Sequence, residues 1–219
     1  MLNVCVAGSC GTGKSSTLDA LFGTRLTTGP TRVVATVDLP AVRLIDTPGL
    51  GEDAARDRAV LPEIARVVPS ADLVLWVLNG RNRGLAADFA YLDTLAVPHE
   101  RLVFGVNQVD LAGPADWNTQ LGLPSEAQDQ HILELLENRR ARLATGLGDA
   151  RPVVGYSAVR AFRLQELFTE LVAAAPPDRA GALRAAKALR PAPIARLDRE
   201  ARRERLHQKR ERIQRSGAR

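Results

Sequence analysis

Cysteine is scarce: only Cys5 and Cys10 occur in 219 residues. Two thiols cannot build a disulfide framework, so a reducing cytoplasm is the expected compartment. Aromatic residues are few, at 4%. Long apolar runs are missing as well. The stretch from Ala71 to Leu78 is already broken by Asp72, and a membrane helix needs ~20 apolar residues. No basic stretch precedes the apolar residues of Met1-Leu2-Asn3-Val4-Cys5-Val6, so a secretory leader is not expected. His99, His131 and His207 are far apart and show no metal-ligand spacing.

What is there is the balance of a folded domain: 45% apolar and 25% charged residues. That excludes wholesale disorder, collagen and a coiled-coil rod. The length suits one domain with a possible appendage. The net charge of +5 is unevenly spread. Residues 178–219 hold 14 of the 30 Lys/Arg and 5 of the 25 Asp/Glu, which leaves 16 basic and 20 acidic residues in 1–177. The body is mildly acidic and the basicity belongs to the tail.

Apolar runs alternate with amphipathic stretches. Strands are expected at Leu2 to Ala7, Val33 to Val37, Val42 to Ile45, Leu73 to Leu78, Leu102 to Val106 and Val153 to Tyr156. Helices are expected at Lys14 to Phe22, Arg58 to Val68 (with Pro62 near its first turn), Gly84 to Leu95, Ser125 to Ala144 and Leu164 to Ala174. Such alternation implies a mostly parallel sheet with helices on both faces. Pro176-Pro177 marks the end of the body; Ala180 to Leu189 and Ile194 to Ile213 can be helical beyond it.

Gly8-Ser9-Cys10-Gly11-Thr12-Gly13-Lys14-Ser15 satisfies G-x-x-x-x-G-K-[ST] directly after a strand and at the start of a helix. Glycines let the backbone wrap a phosphate with N–H groups pointing inward, and the helix N-terminus adds its dipole. Lys14 can reach the β- and γ-phosphates, and the Ser15 hydroxyl can bind Mg²⁺. Ser16 extends the nucleotide-binding stretch. The plain alternative is an ordinary Gly-rich turn. Cys10 lies within the loop, where a lowered thiol pKa would make it redox-sensitive; a small residue filling a variable position is the blander account.

Asp46-Thr47-Pro48-Gly49 follows an apolar strand some thirty residues later. Asp46 can meet Mg²⁺, and the Gly49 N–H can meet the γ-phosphate and lose it on hydrolysis. Asn107-Gln108-Val109-Asp110 ends another strand. The Asp110 carboxylate can accept hydrogen bonds from the guanine N1–H and 2-amino group, a donor pair that adenine lacks. A backbone N–H at Ser157-Ala158 can meet the guanine 6-oxo group.

In this order the motifs resemble the G-boxes of a translation-factor-class P-loop GTPase. The Asp-Thr-Pro-Gly form is similar to that of the TrmE–Era–EngA–septin-like superfamily, the group with the ribosome-binding Era-like GTPases. Asn-Gln-x-Asp in place of Asn-Lys-x-Asp resembles the YfjP/YkfA-type branch. The resemblance covers roughly Met1 to Ala174. It implies an α/β, three-layer P-loop NTPase sandwich with about six strands, mostly parallel, followed by a basic helical C-terminal extension. It also implies a switch threonine among Thr27, Thr28, Thr31 and Thr36. Thr31 precedes Arg32 as in the family's Thr-Arg pair and takes the role, with Thr28 second. Lys14, Thr31 and Gly49 are then the catalytic candidates, and Ser15, Thr31 and Asp46 the metal candidates.

Three departures matter. Leu50 follows Asp-Thr-Pro-Gly, where a water-orienting glutamine stands in Ras-like enzymes, so intrinsic hydrolysis should be slow or depend on a residue from elsewhere. Gly11 stands where potassium-activated members carry asparagine, so that route is not expected. Gln108 replaces the lysine that packs on guanine and braces the phosphate loop; binding should weaken, with guanine choice kept by Asp110. Arg56 or Arg58 acting in trans on a dimer partner is one reading of the charged stretch after Leu50; a solvated face is the other.

The tail carries Arg199, Arg202, Arg203, Arg205, Lys209, Arg210, Arg212, Arg215 and Arg219 with no aromatic residue. Base stacking is therefore not expected. Backbone-phosphate contact with structured RNA such as the ribosome fits better; an anionic membrane surface, a protein effector or a solvated helix are the alternatives. The sequence thus reads as a GTP/GDP switch with slow Mg²⁺-dependent hydrolysis. An ATP-using P-loop NTPase or kinase, and a module that holds GTP without hydrolysing it, are the rivals.

Overall fold

A computed structural model describes residues 1–26, 31–81, 84–114, 116–118 and 121–188. The first strand, β1 (Leu2–Ala7), is buried at every position except the half-buried Asn3. Such a run suits a central strand covered on both faces. It has parallel neighbours on either side: β3 (Val42–Asp46) and β4 (Leu73–Asn79). The full order is β2-β3-β1-β4-β5-β8, with β2 (Ala35–Leu39), β5 (Leu102–Asn107) and β8 (Val153–Gly155). Only β2 runs antiparallel, as a hairpin with β3. The expected mostly parallel, six-stranded α/β sandwich is what the chain forms.

Alternation along β1 sorts side chains to two cores. Val4 and Val6 face α1 (Lys14–Phe22), α5 (Leu164–Ala174) and α6 (Ala180–Ala188). Cys5 and Ala7 face α2 (Ala54–Val67), α3 (Ala86–Thr94) and α4 (Glu126–Leu147). On the first face Phe22 meets Phe168 edge-on at 6.2 Å. Among the described residues, no helix is long and apolar enough to cross a membrane.

Several boundaries differ from the sequence reading. The second strand is Ala35–Leu39 rather than Val33 to Val37, because the Pro40-Ala41 turn pins Leu39 opposite Val42. α2 begins a turn earlier than Arg58: the Asp53 carboxylate accepts from the Ala55 and Arg56 amides at 2.9 and 2.8 Å, a strong N-cap. Pro62 therefore lies inside the helix, with its ring on the exposed side. A short hairpin of β6 (Trp117–Asn118) and β7 (Leu123–Pro124) escaped the sequence reading; Trp117 packs edge-on against Phe162 at 5.1 Å. Beyond Pro176-Pro177, α6 buries Ala180, Leu183 and Ala186, and Arg179 binds Asp72 at 2.6 Å. The expected helix from Ile194 to Ile213 and the tail arginines lie outside the described residues.

Candidate nucleotide site

Because β1, β3, β4, β5 and β8 are parallel, their C-terminal ends share one edge of the sheet. The strand order reverses about β1, and ligands in open α/β sheets bind at such a point. The loop from Gly8 to Lys14 lies there. Gly8 has φ +133°, and a Cβ on it would meet the Val77 carbonyl at 2.4 Å. Gly13 has φ +84°, and a Cβ there would sit 2.5 Å from Asn107 Nδ2. Lys14 is buried and donates to the carbonyls of Gly8 and Ser9 at 3.2 and 2.9 Å. Burial pushes its ammonium down to about 8; Asp46 opposes that shift and the positive charge of Arg56 adds to it.

The metal candidates converge beside the loop. Ser15 Oγ donates to Asp46 Oδ2 at 2.5 Å and lies 3.1 Å from Thr31 Oγ1, which is 3.4 Å from the same carboxylate oxygen. Asp46 Oδ1 is buried without a hydrogen-bond partner, and burial raises the carboxyl's pKa. A buried carboxylate with one oxygen unsatisfied, beside two hydroxyls, is a hard-oxygen donor set suited to Mg²⁺. Of the other threonine candidates, Thr36 is exposed on β2, while Thr27 and Thr28 lie outside the described residues.

At the end of β5, Asn107 joins two segments. Its Nδ2 donates to the Thr12 carbonyl at 2.8 Å, and its Oδ1 accepts from the Ala158 N–H at 3.0 Å. Of the two backbone N–H groups at Ser157-Ala158 expected to meet guanine, that of Ala158 is engaged by Asn107 and that of Ser157 donates to the Phe162 carbonyl at 3.1 Å. Gln108 has φ +63°, and its Nε2 donates to the Gly11 carbonyl at 2.8 Å. Asp110 sits in the turn after it, 9% exposed, with Arg160 Nε 3.8 Å from its Oδ2. Ser157 is buried, and its Oγ accepts from the Arg160 N–H at 3.1 Å.

The segment after Asp46 lies against the phosphate loop. The Thr47 hydroxyl donates to the Val6 carbonyl at 3.0 Å. Gly49 is so close to Cys10 that a Cβ would fall 2.5 Å from its Cα. The Cys10 N–H donates to the Leu50 carbonyl at 2.7 Å. The Leu50 side chain is buried in the core. Asp57 accepts from the Gly51 N–H at 3.0 Å and from the Tyr91 hydroxyl.

Residues 3–108 match the family model described as 50S ribosome-binding GTPase. The match covers just under half of the chain, and the P-loop GTPase superfamily is what the chain resembles. Uncharacterized protein YkfA of Escherichia coli (strain K12) is 32% identical over 138 residues, covering 58% of this chain and 47% of the relative. Uncharacterized protein YfjP of the same organism is 28% identical with the same coverage. Both belong to the branch that Asn107-Gln108-x-Asp110 resembles. The chain spans about half the length of these curated relatives. Among solved structures, Era in complex with MgGDPNP and nucleotides 1506-1542 of 16S ribosomal RNA superposes with a TM-score of 0.57 at 20% identity, covering 80% of this chain and 56% of that one. A probable GTP-binding protein engB gives 0.55 at 16% identity, covering 78% and 97%. These two likenesses show the fold; the family match supports GTP binding and GTPase chemistry in general.

Some residues of this site were missed by sequence reasoning. Asp88 of α3 accepts from Trp76 Nε1 at 2.9 Å and from the Ser9 hydroxyl at 3.3 Å. It sits in the field of Arg139 of α4, a fully buried arginine. Together they line a cavity of about 80 Å³ behind Ser9, Cys10 and Thr12. Gln128 of α4 donates to the carbonyls of Asp110 and Ala112 at 2.9 and 3.0 Å, fixing the turn that carries Asp110. Nothing in the local sequence around Asp88, Gln128 or Arg139 announces these contacts.

Proposed function

We propose that the chain binds GTP and GDP, hydrolyses GTP slowly with Mg²⁺, and works as a nucleotide-dependent switch. The observation that carries this reading is the corner where Ser15, Thr31 and Asp46 meet. A threonine from the loop before β2 reaches the phosphate loop there, so that loop can sense the triphosphate. Bound Mg²⁺ would be held by these three residues and would neutralise charge on the phosphates.

The chain's own groups do the rest. Loop amides from Ser9 to Ser16 cradle phosphate oxygens, and Lys14 meets the β- and γ-phosphates. The Gly49 N–H reads the γ-phosphate, so its loss frees the segment after Asp46. Asp110 selects guanine, Asn107 and Gln108 hold the base turn against the phosphate loop, and Ser157-Ala158 line the base side of the site. The side chain of Leu50 is buried and orients no water, so hydrolysis is slow. The same burial favours the second reading, a module that holds GTP without hydrolysing it.

We take residues 1–177 as the G domain and 178–219 as a basic extension whose first helix, α6, packs on the body and whose remainder docks a partner, in the cytoplasm. Contact with structured RNA, as on the ribosome, fits its charge best. Such binding would weaken steeply with salt; binding to anionic vesicles instead would redirect the assignment to a membrane surface.

Calorimetry of GDP and GTP against ADP and ATP, with Mg²⁺, on wild type and Asp110→Asn tests the core of the reading. Guanine binding that fails in the variant is expected. Equal binding of adenine and guanine would reduce the chain to a generic P-loop NTPase. Phosphate release then separates a GTPase from a GTP-holding module.

A further inference from the structure

Phosphoryl transfer needs positive charge where negative charge gathers on the transferring group. The cation that an asparagine at position 11 would hold has no side-chain oxygen to bind at Gly11, and the buried Leu50 orients no water. Arg56 stands close by. Its Nη2 donates to the Thr31 carbonyl at 3.2 Å, in the residue whose hydroxyl meets Ser15 and Asp46. Its Nη1 pairs with Glu52, and Glu52 accepts from Cys10 Sγ of the phosphate loop at 3.4 Å. The guanidinium thus lies between the metal corner and the phosphate loop.

Its backbone is fixed. The Asp53 cap holds the Arg56 N–H at 2.8 Å, and the next residue, Asp57, is held by Gly51 and Tyr91. The side chain is long, and a guanidinium has five N–H donors, more than these two contacts use. An exchange of Glu52 for a phosphoryl oxygen requires rotation of the side chain alone.

We propose that Arg56 supplies, within the same chain, the positive charge that meets the γ-phosphoryl group during GTP hydrolysis. The inference rests on the GTPase reading above. In the step, the water oxygen bonds to the γ-phosphorus as the bond from that phosphorus to the bridging oxygen breaks. GDP leaves with the electron pair, and a proton from the attacking water passes to the released phosphate. Arg56 only donates hydrogen bonds in this step. It is a cis donor, in place of the trans finger that the sequence suggested for Arg56 or Arg58.

Single-turnover GTP hydrolysis and GDP affinity are measured for wild type, Arg56→Ala, Arg56→Gln, Arg56→Lys and, as a control on exposed α2 surface, Arg66→Ala. GDP binding with aluminium fluoride, a transition-state mimic, is measured alongside. The expected result is a loss of at least ~100-fold in rate for Arg56→Ala and Arg56→Gln, with GDP affinity within about threefold and Arg66→Ala unchanged. The aluminium fluoride complex is lost in both slow variants, and free guanidinium restores part of the Arg56→Ala rate. Arg56→Lys recovers little, because an ammonium lacks the planar fork. Glutamine keeps the stem and an N–H for the Thr31 carbonyl, so a mere brace would survive in Arg56→Gln. A rate within threefold of wild type in Arg56→Gln overturns the inference and leaves the GTPase reading intact. A wild-type chain that binds GTP but releases no phosphate overturns both.

Discussion

The Gln108 side-chain amide donates to the carbonyl of Gly11 at 2.8 Å, across 97 residues of sequence. It reaches over the gap between the base turn and the phosphate loop, where the resembled family places a lysine. The brace is kept and the charge is lost. With Asn107 holding Thr12 one residue away, two adjacent side chains clamp the loop from the guanine side.

Truncating that clamp should weaken the nucleotide and little else. Gln108→Ala is expected to lower GDP affinity about fivefold, the value of one neutral hydrogen bond at about 1 kcal/mol. Gln108→Lys should tighten GDP binding, because an ammonium restores charge near the phosphates. Calorimetry on both variants checks this; a lysine variant weaker than wild type would mean that the site is shaped for the shorter amide.

Gly11 and Gly13 separate strain from collision. Both have positive φ, +71° and +84°, but a Cβ on Gly11 meets nothing within 4 Å, whereas one on Gly13 falls 2.5 Å from Asn107 Nδ2. Gly11→Ala should cost about 1 kcal/mol, the left-handed penalty alone. Gly13→Ala should cost about 2–4 kcal/mol, since it adds overpacking, and should break the Asn107–Thr12 contact. Urea unfolding reads both; equal costs would show that Asn107 yields freely.

Much of this was legible because it is local. The phosphate loop, Asp46 at the end of β3, and Asn107 to Asp110 at the end of β5 are contiguous motifs flanked by apolar strands. Their meeting follows from the parallel sheet. The register of β2 was not legible, because Val33 and Val34 look as strand-like as Val37, and the hairpin turn decides between them. Asp53 was read as one of a charged run, although its position before Ala54–Val67 makes it a cap. Asp88 and Arg139 lie 51 residues apart, and each alone reads as a surface charge on a helix. Arg56 and Thr31 meet only because α2 and the segment before β2 cross the same sheet edge.

Guanine choice should be reversible by one atom exchange. Asp110→Asn loses the paired carboxylate bonds to N1–H and the 2-amino group, an expected loss of about 100-fold in GDP affinity for charge-assisted bonds together worth about 3 kcal/mol. Xanthine carries a 2-oxo group that an asparagine amide can donate to, so the variant should bind xanthosine diphosphate better than GDP. Gln128 keeps the turn in place from behind, so the exchange should leave folding intact. A variant that binds neither base would point to loss of the turn instead.

Lys14 gives the nucleotide-free protein a pH signature. Its ammonium is pushed down to about 8 by burial, while an unfolded lysine titrates near 10.4. Between those values the unfolded chain binds more protons than the folded one, so stability rises with pH. The penalty is complete below about pH 8 and fades as pH approaches 10.4. Its size at pH 7 is about 3 kcal/mol at one pKa unit per 1.36 kcal/mol. Lys14→Met should therefore stabilise the nucleotide-free protein at pH 7, with the gain shrinking toward pH 10, and should abolish phosphate binding. Nucleotide phosphates favour the charged form, so GDP binding near pH 9 should take up close to one proton. Calorimetry in buffers of different ionisation enthalpy measures that uptake directly. No uptake in wild type, or an equal uptake in Lys14→Met under saturating GDP, would assign the proton to another group.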